Sequence, residues 1–337
     1  YIYINMIGES GEYFLECYEK AYHRRNVQDE AEKGMAAVLK TYAPNFVDTR
    51  ETIVVIDEIQ DSAKVYSLIR QFAREFSCDF IITGSYLGKT LSREYFQPVG
   101  DLDIMILDTL TFEEFLDAEG KRDLYNSVDL YGKSSHEAYD ELKRYYDLYC
   151  QIGGYPAVVK TYLETRDMEI CQTELDRVIH IFTEESQGYF DNVLDINLFG
   201  QLLPAVAQTM IREKKGSVDL ITELSKIVYK QESSRLSKKS INQAIAWLYR
   251  SHILDFCGKA NDCNPTDISA NSRFYFLDVG VCRSFLDMAG ADLPTLRGIV
   301  NENFVYIDLL KRVRSRKISG TAPIFGLYKE GEIDFLV

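Results

Sequence analysis

An α/β protein built on a doubly wound parallel sheet is predicted by short apolar runs with polar ends that alternate with helical stretches. Residues 52–60 read Thr-Ile-Val-Val-Ile-Asp-Glu-Ile-Gln, four β-branched residues followed by two acids. Such a run is expected as a strand buried on both faces, with Asp57 and Glu58 at its carboxyl end. Residues 79–83, Asp-Phe-Ile-Ile-Thr, repeat the pattern and lead into Gly84 and Ser85. Between them, Val65, Leu68, Ile69, Phe72, Ala73 and Phe76 keep helical spacing and predict a helix over 62–76. Residues 103–107, Asp-Ile-Met-Ile-Leu, give a third interior strand.

Around these, residues 1–4 read as a strand, while residues 9–28 are polar and aromatic without a clear period. A helix over 29–42 is predicted from Asp29 as its cap and Ala31, Met35, Val38 and Leu39 on one face, with Pro44 closing it. Residues 112–208 are mostly helical, broken at Gly153-Gly154-Tyr155-Pro156, where glycine permits positive φ and proline fixes a turn. Residues 217–258 read as three short helices and then a strand pair ending Ile253-Leu254-Asp255-Phe256. Residues 259–272 are Asn-, Asp- and Ser-rich and read as a hairpin loop or linker. The tail predicts a strand over 273–277, a helix over 298–314 and strands over 324–328 and 332–337.

Bulk properties narrow the function. The 337 residues allow two or three domains, and a formal charge of −14 argues against whole-surface affinity for nucleic acid or an anionic membrane. The seven cysteines are scattered without a C-x-x-C pair, which predicts reduced thiols, hence a cytoplasmic protein without a zinc site or disulfide framework. No apolar run has membrane-spanning length and no signal peptide opens the chain. The chain starts without Met and begins and ends in apolar strand-like runs, which reads as a piece cut from a longer protein. His23, His136, His180 and His252 are dispersed and show no metal-ligand spacing.

Ligands of open α/β sheets bind at the carboxyl edge of the strands. In nucleotide hydrolases an Asp there holds Mg²⁺ and a neighbouring acid orients or deprotonates water. The plain alternative is a strand running into a solvated acidic turn. Residues 84–90, Gly-Ser-Tyr-Leu-Gly-Lys-Thr, approach the phosphate-cradling G-x-x-x-x-G-K-[S/T] but have three residues between the glycines instead of four. One residue less changes which amides point inward, so no working phosphate loop is expected there. Thr83 and Ser85 are instead candidate sensors of a nucleotide or its attacking water.

The order of motifs resembles a known family. It runs Ile-Val-Val-Ile-Asp-Glu-Ile-Gln (53–60), Ile-Ile-Thr-Gly-Ser (81–85), Pro-Val-Gly (98–100) and Leu-Thr-Phe-Glu-Glu-Phe-Leu (110–116). Then come Gly-Gly-Tyr-Pro-Ala-Val-Val (153–159), Phe-Tyr-Phe-Leu-Asp-Val-Gly (274–280), Asn-Glu-Asn-Phe-Val-Tyr (301–306) and Glu-Ile-Asp-Phe-Leu (332–336). This resembles the prokaryotic AAA-type ATPases that carry a C-terminal domain of unknown function with a restriction-endonuclease-like fold. The resemblance implies an ATPase core over 1–117, a helical lid region over 118–208 that contains the Gly153 turn, a winged helix over 209–262 and a partial nuclease-like domain over 263–337. It implies ATP and Mg²⁺ as ligands, with Asp57 on the metal, Glu58 polarising water, and Thr83 and Ser85 in the sensor segment. In the family the phosphate loop precedes a strand like that of residues 1–4, and this chain lacks it. The family's Arg after Pro-x-Gly is here Asp101. The chain as given is therefore expected neither to bind ATP tightly nor to hydrolyse it.

In the second half, Ser237-Lys238-Lys239-Ser240 opens an amphipathic helix with Ile241, Ala244, Ile245 and Leu248 on one face and Trp247 beside it. A Ser-capped basic start suits a recognition helix, with Arg235, Lys238 and Lys239 as phosphate contacts. Winged helices also bind proteins, so a DNA or a protein partner and an oligomer all stay open, as does a non-catalytic binding module with a degenerate nucleotide site. Glu302 and Asp334 match the acids that nucleases of the resembled fold use for Mg²⁺. Metal-assisted cleavage would also need the Glu-x-Lys of the next strand, and the chain stops at Val337 before such a strand. The basic run of residues 311–317 reads either as a DNA-facing patch or as a solvated helix end.

Overall fold

The computed structural model describes residues 1–23, 34–85, 90, 95, 100, 102–129, 131–189, 198–212, 220–231, 238–264, 268–329 and 331–337. The chain forms two compact units, residues 1–105 and 106–337.

The first unit runs β1 (Ile2–Asn5), α1 (Glu9–Ala21), α2 (Gly34–Tyr42), β2 (Ile53–Asp57), a 3₁₀ turn (Ile59–Asp61), α3 (Ala63–Tyr66), α4 (Ile69–Glu75) and β3 (Asp79–Ile82). The strands are parallel, in the order β1-β2-β3, with Ile4 opposite Ile56 and Ile56 opposite Ile82. Period-2 alternation puts Ile4, Val54 and Ile56 on one face, where they are fully buried with Phe14, Met35, Val38 and Phe72. Each such side chain contributes about 1.5–3 kcal/mol on leaving water.

Three expectations are corrected here. The β2 strand is buried on one face only: Ile53 on its other face is 38% exposed, and Ile81 of β3 is 50% exposed. Its composition suits a two-sided interior, but the described helices pack on the Val54–Ile56 side. Residues 103–107 form no strand, and Met105 and Leu107 are over nine-tenths exposed. Apolar β-branched sequence becomes a strand only where a neighbour supplies the ladder, and no described strand pairs with it. Residues 9–21, which lacked a visible period, are a helix that buries Phe14, Cys17, Tyr18 and Ala21 at i, i+3, i+4 and i+7. The aromatic hydroxyls and the thiol hide that stripe from a simple apolar count.

The predicted helix over 62–76 is split in two, with the Ser62 hydroxyl accepting from the Val65 amide to start α3. The predicted start at Asp29, and the Pro98, Val99 and Asp101 positions, lie outside the described residues.

The second unit opens with helices α5 (Phe112–Ala118), α6 (Arg122–Ser127), α7 (His136–Ile152), α8 (Pro156–Thr165) and α9 (Met168–Tyr189). Helices α10 (Leu198–Arg212), α11 (Leu220–Gln231) and α12 (Lys238–Arg250) precede the hairpin β4 (Leu254–Asn261) and β5 (Ile268–Phe276). Then come α13 (Val279–Met288), α14 (Leu293–Arg314), β6 (Ile324–Tyr328) and β7 (Gly331–Leu336). The four strands make one sheet, β5-β4-β6-β7, in which β4 and β6 run parallel and the outer pairs antiparallel. One sheet thus joins the hairpin to the tail strands across residue 262.

Four of the sequence motifs meet inside this unit around one buried acid. Asp278 is 3% exposed and caps α13, its Oδ1 accepting from the amides of Gly280 (2.9 Å) and Val281 (3.1 Å). Its Oδ2 accepts from the Gly154 amide at 2.8 Å. Gly153 has φ +75°, and a Cβ there would sit 2.1 Å from Asp278 Oδ1. A Cβ on Gly154 would lie 2.2 Å from the Leu110 carbonyl oxygen, whose own amide donates to the Gly154 carbonyl at 2.8 Å. Lys311, 6% exposed, closes the knot by donating to the Thr109 carbonyl at 2.6 Å. The Gly-Gly-Tyr-Pro turn is therefore a packing device locked to the Leu-Asp-Val-Gly motif.

Candidate functional site

Asp57 is the last residue of β2, and the parallel register brings Asn5 beside it and Thr83 to the same rim. Tyr3 lies two positions back along the neighbouring strand, so pleating puts its ring on Asp57's face. The Tyr3 hydroxyl donates to Asp57 Oδ2 at 2.5 Å, and the Thr83 hydroxyl donates to Oδ1. The Glu58 amide adds a third donor to Oδ1 at 3.0 Å. Hydrogen bonds from Thr83 and then Tyr3 hold the Asp57 carboxyl below its ordinary value, against a weaker opposing pull from burial. The same contact raises the Tyr3 phenol.

Glu58 leaves the strand in the left-handed region, φ 55° and ψ 44°. A non-glycine residue there stores on the order of 1–3 kcal/mol, which the contacts of its neighbours must hold. The turn carries the side chain to Gln60 and Ser85. Gln60 Nε2 donates to Glu58 Oε2 at 2.6 Å, and the Ser85 hydroxyl donates to the same oxygen at 3.0 Å. Glu58 Oε1 has no partner among the described residues. Gln60 is itself fully buried and pinned through its carbonyl by the Tyr95 hydroxyl. Its Oε1 is buried without a hydrogen bond.

Every donor to these two acids is neutral. Among the described residues no lysine or arginine pairs with either, so the two negative charges stand adjacent and uncompensated. Neutral donors that fix two ionised carboxylates, with the open face of the sheet beside them, suit a divalent cation. Thr83 and Ser85 stand where the sequence places them, one on each acid. Tyr3 and Gln60 were not anticipated. Tyr3 is visible only once strand register is known, and Gln60 only once the left-handed turn folds it back.

The other candidates are arranged differently. Lys238 starts α12 and donates to Thr222 Oγ1 at 2.7 Å, while Lys239 is exposed. Arg235 and the Ser237 cap lie outside the described residues, as do residues 86–89 of the near phosphate loop. Trp247 is 4% exposed, in the core with Ile241 and Leu248. Glu302 and Asp334 do not converge: Asp334 is exposed, while Glu302 accepts from Arg273 Nη1 (3.1 Å) and the Tyr275 hydroxyl (2.7 Å). The acid that joins Glu302 is Glu332, also paired with Arg273. A guanidinium between two carboxylates does not fit a divalent ion in the same place, and the described residues contain no group of three or more His, Cys, Asp or Glu side chains arranged to hold a metal.

The basic run is largely neutralised: Lys311 is buried on carbonyls, Arg312 pairs with Glu113 and Asp308, and Arg314 with Asp108. It is not a free cationic patch. Among the described residues no helix is long and apolar enough to cross a membrane.

Residues 10–116 match the family model of an AAA domain, and residues 143–292 match that of a domain of unknown function, DUF8612. No curated protein matches the chain. The first match spans Asp57, Glu58, Thr83 and Ser85, and supports an AAA-type P-loop, nucleotide-binding module over the first unit.

Proposed function

We propose that the protein is an AAA-type ATPase whose nucleotide-driven conformational change acts on a bound DNA or protein partner. The observation that supports this best is the Asp57-Glu58 pair at the carboxyl rim of a parallel strand, held by hydroxyl and amide donors and, among the described residues, by no cation. In this reading Asp57, kept ionised by Thr83 and Tyr3, binds Mg²⁺. The bound ion neutralises charge on the phosphate oxygens of ATP. Glu58, anchored through Oε2, presents Oε1 to the attacking water and takes its proton. Thr83 and Ser85 fix the two carboxylates and report on the nucleotide. Among the 337 residues no stretch reads G-x-x-x-x-G-K-[S/T].

The partner would be met by the expected winged helix of residues 209–262, which contains α11, α12 and β4, with exposed Lys239 as a phosphate contact. A non-catalytic binding module is the competing reading. In either reading Arg312 and Arg314 are paired with acids and do not serve as phosphate contacts.

ATP binding by the full-length gene product, measured with Mg²⁺ and with EDTA, tests the metal role. Asp57→Asn is expected to weaken binding roughly tenfold or more in Mg²⁺ and to leave binding in EDTA unchanged. An unaltered Mg²⁺ dependence in the variant would overturn it.

A further inference from the structure

The second unit contains a cavity of about 350 Å³ between α7 and α14 that the nucleotide reading does not use. Its size falls within the range of small-ligand pockets, about 300–1,000 Å³. Helical spacing builds both walls: Tyr139, Leu142 and Tyr146 at i, i+3 and i+7 on α7, and Phe304, Asp308 and Arg312 at i, i+4 and i+8 on α14. Phe112, Glu113, Tyr125 and Lys143 complete the lining, and several of the rings meet edge to face. Tyr146 lies 4.9 Å from Phe304 at 86°, and Phe112 lies 6.1 Å from Phe304 at 80°. The cavity thus offers aromatic surfaces for stacking.

The polar groups say what kind of ring. The tyrosine hydroxyls are engaged: Tyr139 donates to the Asp129 carbonyl, Tyr146 donates to Asn301 Oδ1 at 2.7 Å, and Tyr125 donates to Glu113 at 3.5 Å. Both lining carboxylates are compensated. Glu113 receives Arg312 Nη2 at 2.6 Å and Arg122 at 2.9 Å, and Asp308 receives Arg312 Nε at 2.6 Å. No uncompensated carboxylate remains in the lining, and Lys143 and Arg312 already place two cations on it, which disfavours a cationic occupant. Arg312 Nη1 has no partner among the described residues. A purely hydrocarbon occupant offers that donor no acceptor.

We propose that this cavity binds a neutral, flat heteroaromatic ring bearing a hydrogen-bond acceptor, a nucleobase, stacked on the α7–α14 aromatics with its acceptor on Arg312 Nη1. The base comes either from a free nucleoside or from an unpaired position in a single strand. This proposal stands apart from the Asp57 site and does not depend on it.

The test is ligand-observed NMR on the whole protein in EDTA, with adenosine, cytidine, a short oligothymidylate and N-acetyltryptophanamide as separate probes. Saturable binding of a nucleoside or of the oligonucleotide is expected. Binding of the oligonucleotide alone would assign the source to a strand. Leu142→Trp fills the cavity from a half-buried helix position, and Arg312→Lys keeps the charge beside Glu113 and Asp308 but removes Nη1. Each is expected to weaken binding roughly tenfold or more, with the unfolding transition kept. Leu142→Phe carries the same test if Leu142→Trp loses its transition. Absence of saturable binding to the wild-type protein, binding indifferent to both cavity variants, or preference for N-acetyltryptophanamide over the nucleosides would overturn the proposal.

Discussion

Asp57 and Asp278 are two aspartates that follow apolar runs of similar appearance, Ile-Val-Val-Ile and Phe-Tyr-Phe-Leu, yet the fold gives them opposite work. Asp57 is half-exposed at a sheet rim, takes hydroxyl and amide donors, and stands beside a second acid with no cation paired to it among the described residues. Asp278 is buried, takes three backbone amides from two segments of chain, and has the buried Lys311 as the nearest compensating charge. An acid held by backbone amides has its lone pairs committed to architecture. An acid steadied by side-chain hydroxyls beside another carboxylate keeps its charge for a ligand.

The contrast breaks most visibly at the Asp278 knot. Gly154→Ala places a methyl group 2.2 Å from the Leu110 carbonyl oxygen, a backbone atom that cannot step aside. A loss of about 3 kcal/mol or more, or failure to fold, is expected for residues 106–337. Trp247, the sole tryptophan and 4% exposed, reports this in chemical unfolding followed by fluorescence. Asp278→Asn is milder. One carboxylate oxygen becomes an NH₂ facing an amide donor, so about 1–3 kcal/mol should go from the same transition. At the other acid, Asp57→Asn should leave the Trp247 transition where it is.

The smallest effect is in pH, and its sign separates the two acids. Thr83 and Tyr3 lower Asp57, so its contribution is present above the ordinary carboxylate value of 3.8 and is lost as pH falls through the lower folded value. Burial raises Asp278, so its protonated form favours folding. That contribution is complete below 3.8 and is lost as pH rises through the raised folded value. Hydrogen exchange resolved along the chain should therefore show the excess protection of wild type over Asp57→Asn in residues 1–105 shrinking as pH falls towards 3. Wild type against Asp278→Asn in residues 106–337 should show the opposite trend.

How far these roles were legible in the sequence follows from which forces are local. The Asp57-Glu58 tip and its Thr83 and Ser85 neighbours could be placed from strand pattern alone, because parallel strands bring their carboxyl ends to one rim. Tyr3 depends on register and Gln60 on a left-handed turn, and neither leaves a local mark. Residues 103–107 failed as a strand because strand formation needs a partner that composition does not name. Glu332, and not Asp334, shares Arg273 with Glu302, a pairing between strands and helix that no local pattern marks. The basic run of residues 311–317 looked like a patch because its acidic partners, Asp108 and Glu113, lie about two hundred residues away in sequence.

The central claim is that Glu58 serves chemistry while the Asp278 knot serves architecture. Mg²⁺-dependent ATP turnover by the full-length gene product, wild type against Glu58→Gln, tests it most directly. The account predicts that ATP still binds and that turnover falls roughly a hundredfold or more, the share a positioned general base supplies. Turnover unchanged in Glu58→Gln would contradict it.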